Sequence, residues 1–313
     1  MIDTAVILAA GRGSRLKEVT ASRSKAMVPI AGKPIIGRVI EALAEAGISR
    51  YVIVGAPHDE ELRRYSQSVP NATFVIQEKP LGSGDALKSA RPNAPKTFLV
   101  CACDSLISSE DIKRLVEFHT PQAVATLSVL EVAPDCPLGS RSVVTMSEAR
   151  VTNFIEKPKE TERLSNLSSL PLYILSDEIF AALSRLGPSP RGEYELPEAF
   201  RAFIHEGKLV RGLRASTRFD LTDQNDLLAL NERFLALLSP SIQVHPSIQV
   251  HSSVTLRAPI LIEEGVTLGE NSTIGPCVYL ERGATVESGV SLAHVVATRG
   301  ARVTSSASKR VLT

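Results

Sequence analysis

The chain has 313 residues, 43% of them hydrophobic, and its 35 Lys and Arg against 34 Asp and Glu leave a formal net charge of +1. A chain of this length can bury two cores, and its balanced, interspersed charges argue against a nucleic-acid or membrane surface, which would show a strong basic excess. No apolar run approaches a membrane span, and Asp3 stands where a signal peptide would be basic, so we expect a cytoplasmic protein whose partners are small molecules.

The first predicted element is a strand at residues 5–10 that runs into a glycine-rich loop. Residues 8–16 read LAAGRGSRL, and Lys25 follows. Glycines allow backbone N–H groups to approach an anion, because no Cβ blocks the approach and a positive φ costs little there. Arg15 and Lys25 would add positive charge. The pattern therefore favours a phosphate-binding loop over an ordinary strand-to-loop turn.

Two better-known glycine loops do not match this segment. The dinucleotide fingerprint G-x-G-x-x-G needs a third small residue where this chain has Leu16. The mononucleotide loop G-x-x-x-x-G-K-[ST] fails around Lys33, because Met27 and Pro34 occupy required positions. Dinucleotide and P-loop chemistry are therefore not indicated.

Short β-branched runs alternate with amphipathic stretches up to about residue 238, which predicts an α/β fold with a largely parallel, doubly covered sheet. Strands are predicted at 5–10, 51–55, 73–77, 97–103, 123–132, 142–146, 151–155, 170–175 and 209–213. Helices are predicted at 35–46, 59–69, 84–90, 108–119, 177–186, 196–205 and 224–238.

After Pro240 the pattern changes to a strict period of six. Consecutive blocks begin on an aliphatic residue at positions 244, 250, 256, 262, 268, 274, 280, 286 and 292. A six-residue step drifts around a helix, so the pattern indicates a β-solenoid. It resembles the hexapeptide-repeat, left-handed β-helix family, with three blocks to a coil and about three coils. The predicted domains are therefore 1–238 and 239–313.

The β-helix has two alternative functions in proteins that it resembles, acyl transfer and oligomerisation. The predicted coils lack the long insertions that usually build an acyl-CoA site, so we favour a homo-oligomer assembled through the β-helix. His245, His251 and His294 are either acyl-transfer bases or solvated packing residues, and the second interpretation is favoured.

The loop at residues 8–16, together with Lys25, resembles the signature of the sugar-1-phosphate nucleotidylyltransferases, the NDP-sugar pyrophosphorylases. The resemblance extends over the whole chain and implies a Rossmann-like nucleotide-diphospho-sugar transferase domain with a mixed, mostly parallel sheet. Residues 77–87 resemble that family's base-recognition segment, in which a glutamine reads a nucleobase edge and a glycine lets the base approach the backbone. The resemblance implies nucleotide contacts from Leu8, Ala10, Gly11, Gly13, Gln77 and Gly82.

The acceptor and metal sites also follow from the resemblance. Sugar-phosphate contacts are implied for Gly139, Glu156, Lys157 and Asn166. Mg²⁺ is implied on Asp104 and Asp220, since a hard divalent ion takes carboxylate oxygens together with substrate phosphates. Asp223 is expected to be the N-cap of the helix that follows. Thr222 and Pro171 depart from the pattern, because each stands where the family usually has glycine.

The implied reaction joins an NTP and a sugar 1-phosphate to give an NDP-sugar and pyrophosphate, with UTP or dTTP favoured. Arg15, Lys25 and Asp104 are the implied catalytic residues: Arg15 holds the triphosphate, and Lys25 acts on the transferred phosphate. One alternative is a catalytically silent homologue that binds NDP-sugar and acts as a regulator or assembly subunit. A lesser alternative is a bifunctional enzyme whose β-helix also has acetyltransferase activity.

Overall fold

The computed structural model describes residues 2–11, 13–137, 141–189 and 192–313. The chain forms two compact units, one of residues 1–11 and 38–218 and the other of residues 12–37 and 219–313. The predicted domain boundary at 238/239 rests on the change of sequence pattern, whereas these units are defined by which residues contact one another. The domain boundary stays a prediction. Within the described ranges, no helix has both the length and the apolar character to cross a bilayer.

The helices and strands before residue 239 agree closely with the predicted elements. The strands are β1 Thr4–Leu8, β2 Pro29–Ile30, β3 Lys33–Pro34, β4 Arg50–Gly55, β5 Ala72–Ile76, β6 Thr97–Ala102, β7 Ser105–Leu106, β8 Ala125–Glu131, β9 Ser142–Ser147, β10 Arg150–Glu156, β11 Leu167–Ser176, β12 Val210–Arg214 and β13 Phe219–Asp220. The helices are α1 Ile35–Glu45, α2 Glu60–Ser68, α3 Ser83–Ser89, α4 Ser109–Phe118, α5 Glu178–Arg185, α6 Leu196–His205 and α7 Gln224–Leu235.

The first unit is built on a nine-stranded sheet with the order β5-β4-β1-β6-β11-β8-β12-β10-β9. Strands β10 and β11 run against their neighbours, and the other strands share one direction. The strands β1 and β6 read as nearly continuous apolar runs and are buried, as is usual for parallel strands covered on both faces. The predicted mixed, mostly parallel sheet is confirmed.

The core of the first unit packs helices α3, α5 and α6 against the sheet. Phe200 of α6 makes edge-on contacts with Phe154 of β10 and Tyr173 of β11, with ring centroids 5.6 Å and 4.9 Å apart. Such aromatic pairs stabilise by about 0.5–1.5 kcal/mol beyond the area that they bury. Phe200 thereby fixes the start of α6 beside the end of β10, where two of the predicted site residues lie.

The second unit contains a parallel β-helix, as the period of six predicted. Its strands are β14 Ile242–Val244, β15 Thr255–Leu256, β16 Ile260–Ile262, β17 Thr267–Leu268, β18 Thr273–Ile274, β19 Val278–Leu280, β20 Thr285–Val286, β21 Ser291–Ala297, β22 Arg302–Val303 and β23 Ala307–Leu312. Ile242 pairs with Ile260, and Ile260 with Val278, so residues three hexapeptides apart stack on one another. This register fits the predicted left-handed β-helix.

Two features of the β-helix differ from the prediction. The coils continue beyond residue 297, because β22 and β23 add further parallel strands, so the β-helix is longer than three coils. Val250 was expected to point inward, yet this residue is 38% exposed. It belongs to the first coil, which has no preceding coil to cover it.

The predicted histidines of the β-helix are engaged in local contacts. His245 and His251 each place Nδ1 within 2.8 Å of the hydroxyl of a serine two residues later. His294 places Nδ1 2.7 Å from Oε1 of Glu232 in helix α7, which packs on β19, β21 and β23. His245 and His251 are thus exposed side chains with local contacts, and His294 packs against α7.

We expect Gly275→Ala to destabilise the β-helix strongly. Gly275 follows β18 with a φ of 112°, and a Cβ there would lie 1.8 Å from the carbonyl oxygen of Arg257 on the preceding coil. The backbone must move to admit a methyl group, which should lower the free energy of unfolding by about 2–4 kcal/mol in urea titrations.

Gly283→Ala is the matched control for this substitution. Gly283 has a φ of 72°, but a Cβ there would meet nothing within 4 Å. In the control, the free energy of unfolding should fall only by the cost of placing alanine in the left-handed region, about 1–2 kcal/mol. Equal losses in the two variants would show that the close approach of the coils is not what requires glycine at 275.

Candidate active site

Several predicted site residues lie where the parallel strands of the first unit end. The Cys103 backbone N–H donates to the Leu8 carbonyl at 3.2 Å, and the Gln77 N–H donates to the Gly55 carbonyl at 2.9 Å, so the ladder continues past the strand ends. Open α/β sheets bind ligands at this edge. The residues that follow β1, β5 and β6 here are Ala10, Gly11, Gln77 and Asp104.

The Gln77 side chain is held in a fixed orientation. It is 5% exposed, and its Nε2 donates to the Gly82 carbonyl at 3.1 Å and to Oδ2 of Asp85 at 2.9 Å. Both bonds use the amide NH₂ group, so Oε1 is the atom that Gln77 can offer to a ligand. The glutamine can therefore accept a hydrogen bond from a ligand.

Gly82 must be glycine for two reasons that act together. Its φ is 108°, and a Cβ there would lie 2.7 Å from the carbonyl oxygen of Tyr194. The Tyr194 backbone also binds on both sides of this glycine, since its N–H donates to the Leu81 carbonyl and its carbonyl accepts from the Gly84 N–H, each at 2.7 Å. The start of α3 is thereby joined to residues 193–195.

We expect Gly82→Ala to separate these two segments. Because the new methyl group would meet backbone atoms, the free energy of unfolding should fall by about 1–3 kcal/mol in a urea titration. Gly187→Ala is the control, since a Cβ at Gly187 meets nothing within 4 Å. A Gly82→Ala protein as stable as the control would contradict the argument.

Lys157 lies between two carboxylates at the end of β10. Its Nζ is 3.9 Å from Oε1 of Glu156 and 3.8 Å from Oε1 of Glu195. Glu156 is oriented by Ser142, whose hydroxyl donates to Oε2 at 2.7 Å. Both ammonium distances exceed a normal hydrogen bond, so the carboxylates attract the ammonium without fixing it. The ammonium can therefore turn toward an anionic ligand.

Glu195 was not predicted to belong to the site. It is 7% exposed and directly precedes α6, in which Pro197 stands in the first turn. Acidic residues are almost never this buried unless they are paired. No local sequence pattern marks it, because an acidic residue is favourable next to any helix N-terminus and need not be buried there.

Residues 194 and 195 join the two predicted ligand-binding segments. Tyr194 contacts Gly82 of the base-recognition segment, and Glu195 contacts Lys157 of the sugar-phosphate segment. The structure therefore brings Gln77, Gly82, Glu156 and Lys157 into one connected group within the first unit.

Asn166 and Gly139 are the other two residues with predicted sugar-phosphate contacts. Asn166 precedes β11 and therefore lies at the same edge of the sheet as Asp104, because β11 is antiparallel to β6. Its Oδ1 accepts from Arg163 Nη1 at 3.4 Å, and its carbonyl accepts from the Val132 N–H. The predicted contact Gly139 lies outside the described residues.

The predicted phosphate loop belongs to the second unit from residue 12 onward. A 3₁₀ turn at Ser14–Thr20 buries Leu16 and Val19 and leaves Arg15 exposed. A Cβ at Gly13 would lie 3.0 Å from the Cβ of Lys25, so the loop and Lys25 are adjacent. Lys25 is half-buried and begins a second 3₁₀ turn.

Asp220 is half-buried at the end of β13 and is followed by the cap of helix α7. Asp223 Oδ1 accepts from the backbone N–H groups of Asn225 and Asp226, so the predicted N-cap is confirmed. Thr222 donates its N–H to Asp226 at 2.7 Å and does not take a positive φ. Threonine therefore replaces the expected glycine without backbone strain.

Asp104 and Asp220 are the two carboxylates predicted to hold a cation. In the described part of the chain, no group of three or more His, Cys, Asp or Glu could hold a metal ion. Burial, and secondly the charge of Asp104, raises the pKa of the Cys101 thiol to about 12. The thiol therefore stays protonated at neutral pH and does not compete with the Asp104 carboxylate for a cation.

The chain is similar in sequence to known proteins. Residues 4–235 match the family model described as nucleotidyl transferase. The bifunctional protein GlmU of Methanococcus maripaludis is 34% identical over 232 residues, which are 74% of this chain and 54% of that protein. The low-salt glycan biosynthesis nucleotidyltransferase Agl11 of Haloferax volcanii is 32% identical over 211 residues, 66% of this chain and 58% of that protein. The chain thus spans about half the length of these curated relatives.

A solved structure shows the same fold. A UDP-glucose pyrophosphorylase complexed with UDP-glucose superposes with a TM-score of 0.69 at 22% identity, covering 76% of this chain and 100% of that one.

Proposed function

Because this chain belongs to the nucleotidyl transferase family, we propose that it transfers a nucleoside monophosphate from an NTP to a sugar 1-phosphate and releases pyrophosphate. The observation that carries the proposal is the contact of Tyr194 with Gly82 and of Glu195 with Lys157. One short segment thereby connects the segment of Gln77 and Gly82, which is suited to a nucleobase, with a lysine suited to a phosphate, as a reaction between two substrates requires.

Gln77 supports UTP or dTTP as the nucleotide. Its Nε2 is engaged with Gly82 and Asp85, so Oε1 is the atom that meets the base. Uracil and thymine present an N–H donor at N3, which Oε1 can accept. Gly82 leaves room for the base to approach the backbone, and Leu8, Ala10 and Gly11 are the proposed contacts of the nucleoside at the end of β1.

Lys157 supports a phosphorylated acceptor. An ammonium held between Glu156 and Glu195 at distances longer than a hydrogen bond can bind a phosphate as a third partner. Glu156 then accepts hydrogen bonds from sugar hydroxyls, and Asn166 is a further proposed sugar contact. Gly139 remains a proposed contact from the family resemblance alone.

Arg15 and Lys25 are the proposed residues for the triphosphate. The acceptor phosphate oxygen attacks the α-phosphorus, and the bond to the oxygen of the departing pyrophosphate breaks. The reaction requires no covalent nucleophile, so catalysis consists of positioning and of neutralising charge on the phosphates. Arg15 stabilises the leaving pyrophosphate, and Lys25 acts on the transferred phosphate.

The available donors fit Mg²⁺. Asp104 and Asp220 are half-buried carboxylates, and Mg²⁺ is usually held by one or two carboxylates together with substrate phosphates. When bound, it would neutralise charge on the phosphates of the two substrates.

A screen of pyrophosphate release with the common NTPs against a panel of sugar 1-phosphates tests the proposal. We expect turnover with at least one sugar 1-phosphate and the highest kcat/KM with UTP or dTTP. Binding of NDP-sugar without turnover of any pair would overturn the proposal in favour of a catalytically silent homologue. Calorimetry with acetyl-CoA tests the lesser alternative, and we expect no binding.

Homo-oligomerisation through the β-helix and a cytoplasmic location are also part of the proposal. Ile242 and Val250 are exposed in the first coil, and Leu237 is exposed in the segment between α7 and that coil, so these side chains support an assembly there. Sedimentation velocity tests the assembly, and a monomer at micromolar concentration would overturn it.

A further inference from the structure

We propose that the β-helix positions the phosphate loop, and that the ion pair between Arg23 and Glu281 is the contact through which it does so. Arg23 lies between the turn that carries Arg15 and the turn that begins at Lys25, whereas Glu281 belongs to the β-helix. Both residues are in the second unit. The inference rests on the proposed function, since it gives the β-helix a part in the same reaction.

The pair is buried and bidentate. Arg23 Nη1 is 2.5 Å from Oε1 of Glu281 and Nη2 is 2.8 Å from Oε2, and the two side chains are 3% and 4% exposed. Arg23 Nε also donates to the Val19 carbonyl at 3.3 Å. Arg23 therefore ties the last part of the phosphate-loop turn to the β-helix in a fixed geometry, because both planar groups are oriented by two parallel bonds.

Contacts within the β-helix orient Glu281 independently of Arg23. Its Oε2 accepts from the Arg299 backbone N–H at 2.9 Å, and its own N–H donates to the Ala297 carbonyl on the next coil. The Arg299 guanidinium lies 3.5 Å from Oε1. The carboxylate thus belongs to the rigid β-helix, and Arg23 binds to a preformed acceptor.

A second contact fixes the chain on the other side of Lys25. The Ala31 N–H donates at 2.8 Å to Oδ1 of the buried Asn231 in α7, whose Nδ2 donates to the Leu227 carbonyl. Gly32 lies against the β-helix, since a Cβ there would come 2.9 Å from Leu261. The segment that carries Lys25 is therefore anchored both before and after it.

Stability alone does not account for such a pair. A buried ion pair can often be replaced by apolar side chains without loss of stability, whereas removal of one partner leaves a buried charge uncompensated. What Arg23 and Glu281 specify is the position of residues 19–25 on the β-helix. Arg15 and Lys25 acquire their positions from that segment, so Arg23 and Glu281 are positioning residues.

Four variants test the proposal: Arg23→Met, Glu281→Gln, the double variant, and Glu287→Gln as control. Glu287 stands one hexapeptide after Glu281 and pairs with Arg302 on the exposed face of the β-helix at 2.8 Å. We expect each single variant to lower kcat by about 10–100-fold with a smaller change in the KM for the sugar 1-phosphate. The double variant should lose no more than the worse single variant, because the two residues act as one unit. The control should retain wild-type kcat.

Hydrogen exchange of the folded proteins provides a readout that does not depend on activity. Peptides that cover residues 13–27 should exchange faster in Arg23→Met and Glu281→Gln, while peptides from the β-helix strands keep their protection. Unchanged exchange at 13–27 in both variants, or additive losses of kcat in the double variant, would overturn the proposal. If the wild-type protein catalyses no transfer, the proposed function fails, whereas the exchange experiment still tests the coupling.

Arg23→Lys is a milder substitution that tests the same ion pair if the other variants do not fold. Lysine preserves the charge but not the planar fork that binds both carboxylate oxygens. We expect a folded protein with faster exchange at 13–27 and a kcat between those of the wild type and Arg23→Met. Wild-type exchange and kcat in Arg23→Lys would overturn the proposal.

Discussion

Lys25→Met will lower kcat for nucleotidyl transfer by about 10²–10³-fold, with little change in the free energy of unfolding. Lys25 is half-buried at the start of its turn, next to Gly13 of the phosphate loop. Methionine keeps most of the length of the side chain and removes the positive charge that would act on the transferred phosphate. Steady-state release of pyrophosphate and urea unfolding of the same preparation measure the two quantities.

Lys17→Met is the matched control for Lys25→Met. Lys17 is an exposed lysine on the turn Ser14–Thr20, so its replacement removes the same charge from the same loop. We expect its kcat to stay within about threefold of the wild type, since an exposed charge is screened by solvent. A similar loss in both variants would show that the net charge of the loop matters and that the position of Lys25 does not.

Asp104→Asn will lower kcat by about 10²-fold and raise the Mg²⁺ concentration needed for half-maximal rate. Asparagine preserves the shape of the side chain after β6 and removes the anionic oxygen that a hard cation prefers. Calorimetric titration of the protein with Mg²⁺ in the presence of NTP gives a second readout, and we expect weaker binding in the variant.

Asp135→Asn controls for the loss of a carboxylate elsewhere in the first unit, because Asp135 is exposed and has no proposed role. It should show the Mg²⁺ dependence of the wild type. If Asp104→Asn also shows that dependence, Asp104 is not a metal ligand.

The sequence predicted the elements well because most of them are decided by local periodicity. Every predicted strand and helix before residue 239 has a counterpart in the structure. The reversed direction of β10 and β11 was not predicted, since direction depends on which strands pair over long distances. The short connection between β9 and β10 was the available sign of an antiparallel hairpin.

The coils of the β-helix after residue 297 were not predicted, for a related reason. Val278 pairs with Val295, and Val295 pairs with Arg310, so the later coils are shorter than three hexapeptides. The aliphatic residues after 297 therefore fall out of the period of six, although the strands still stack. A fixed period detects only coils of constant length.

Motifs predicted several residues of the candidate site but not the contacts that connect them. Gln77 and Lys157 were identified from their surrounding residues, whereas Glu195 is recognised only from its distance to Lys157. The contacts of Tyr194 with Gly82 likewise join residues more than 100 positions apart in the sequence. No local pattern carries that information.

The pairing of Arg23 with Glu281 also limits how this protein can be dissected. A fragment that ends at residue 238 would retain Arg15, Lys25 and every other residue assigned to the reaction, and would appear complete by its motifs. It would nevertheless leave the Arg23 guanidinium without its carboxylate and Gly32 without Leu261. Exchange of the β-helix for that of a relative would have the same effect unless an acid stands at the position of Glu281. The two predicted domains are thus separable in sequence pattern but not as interchangeable modules.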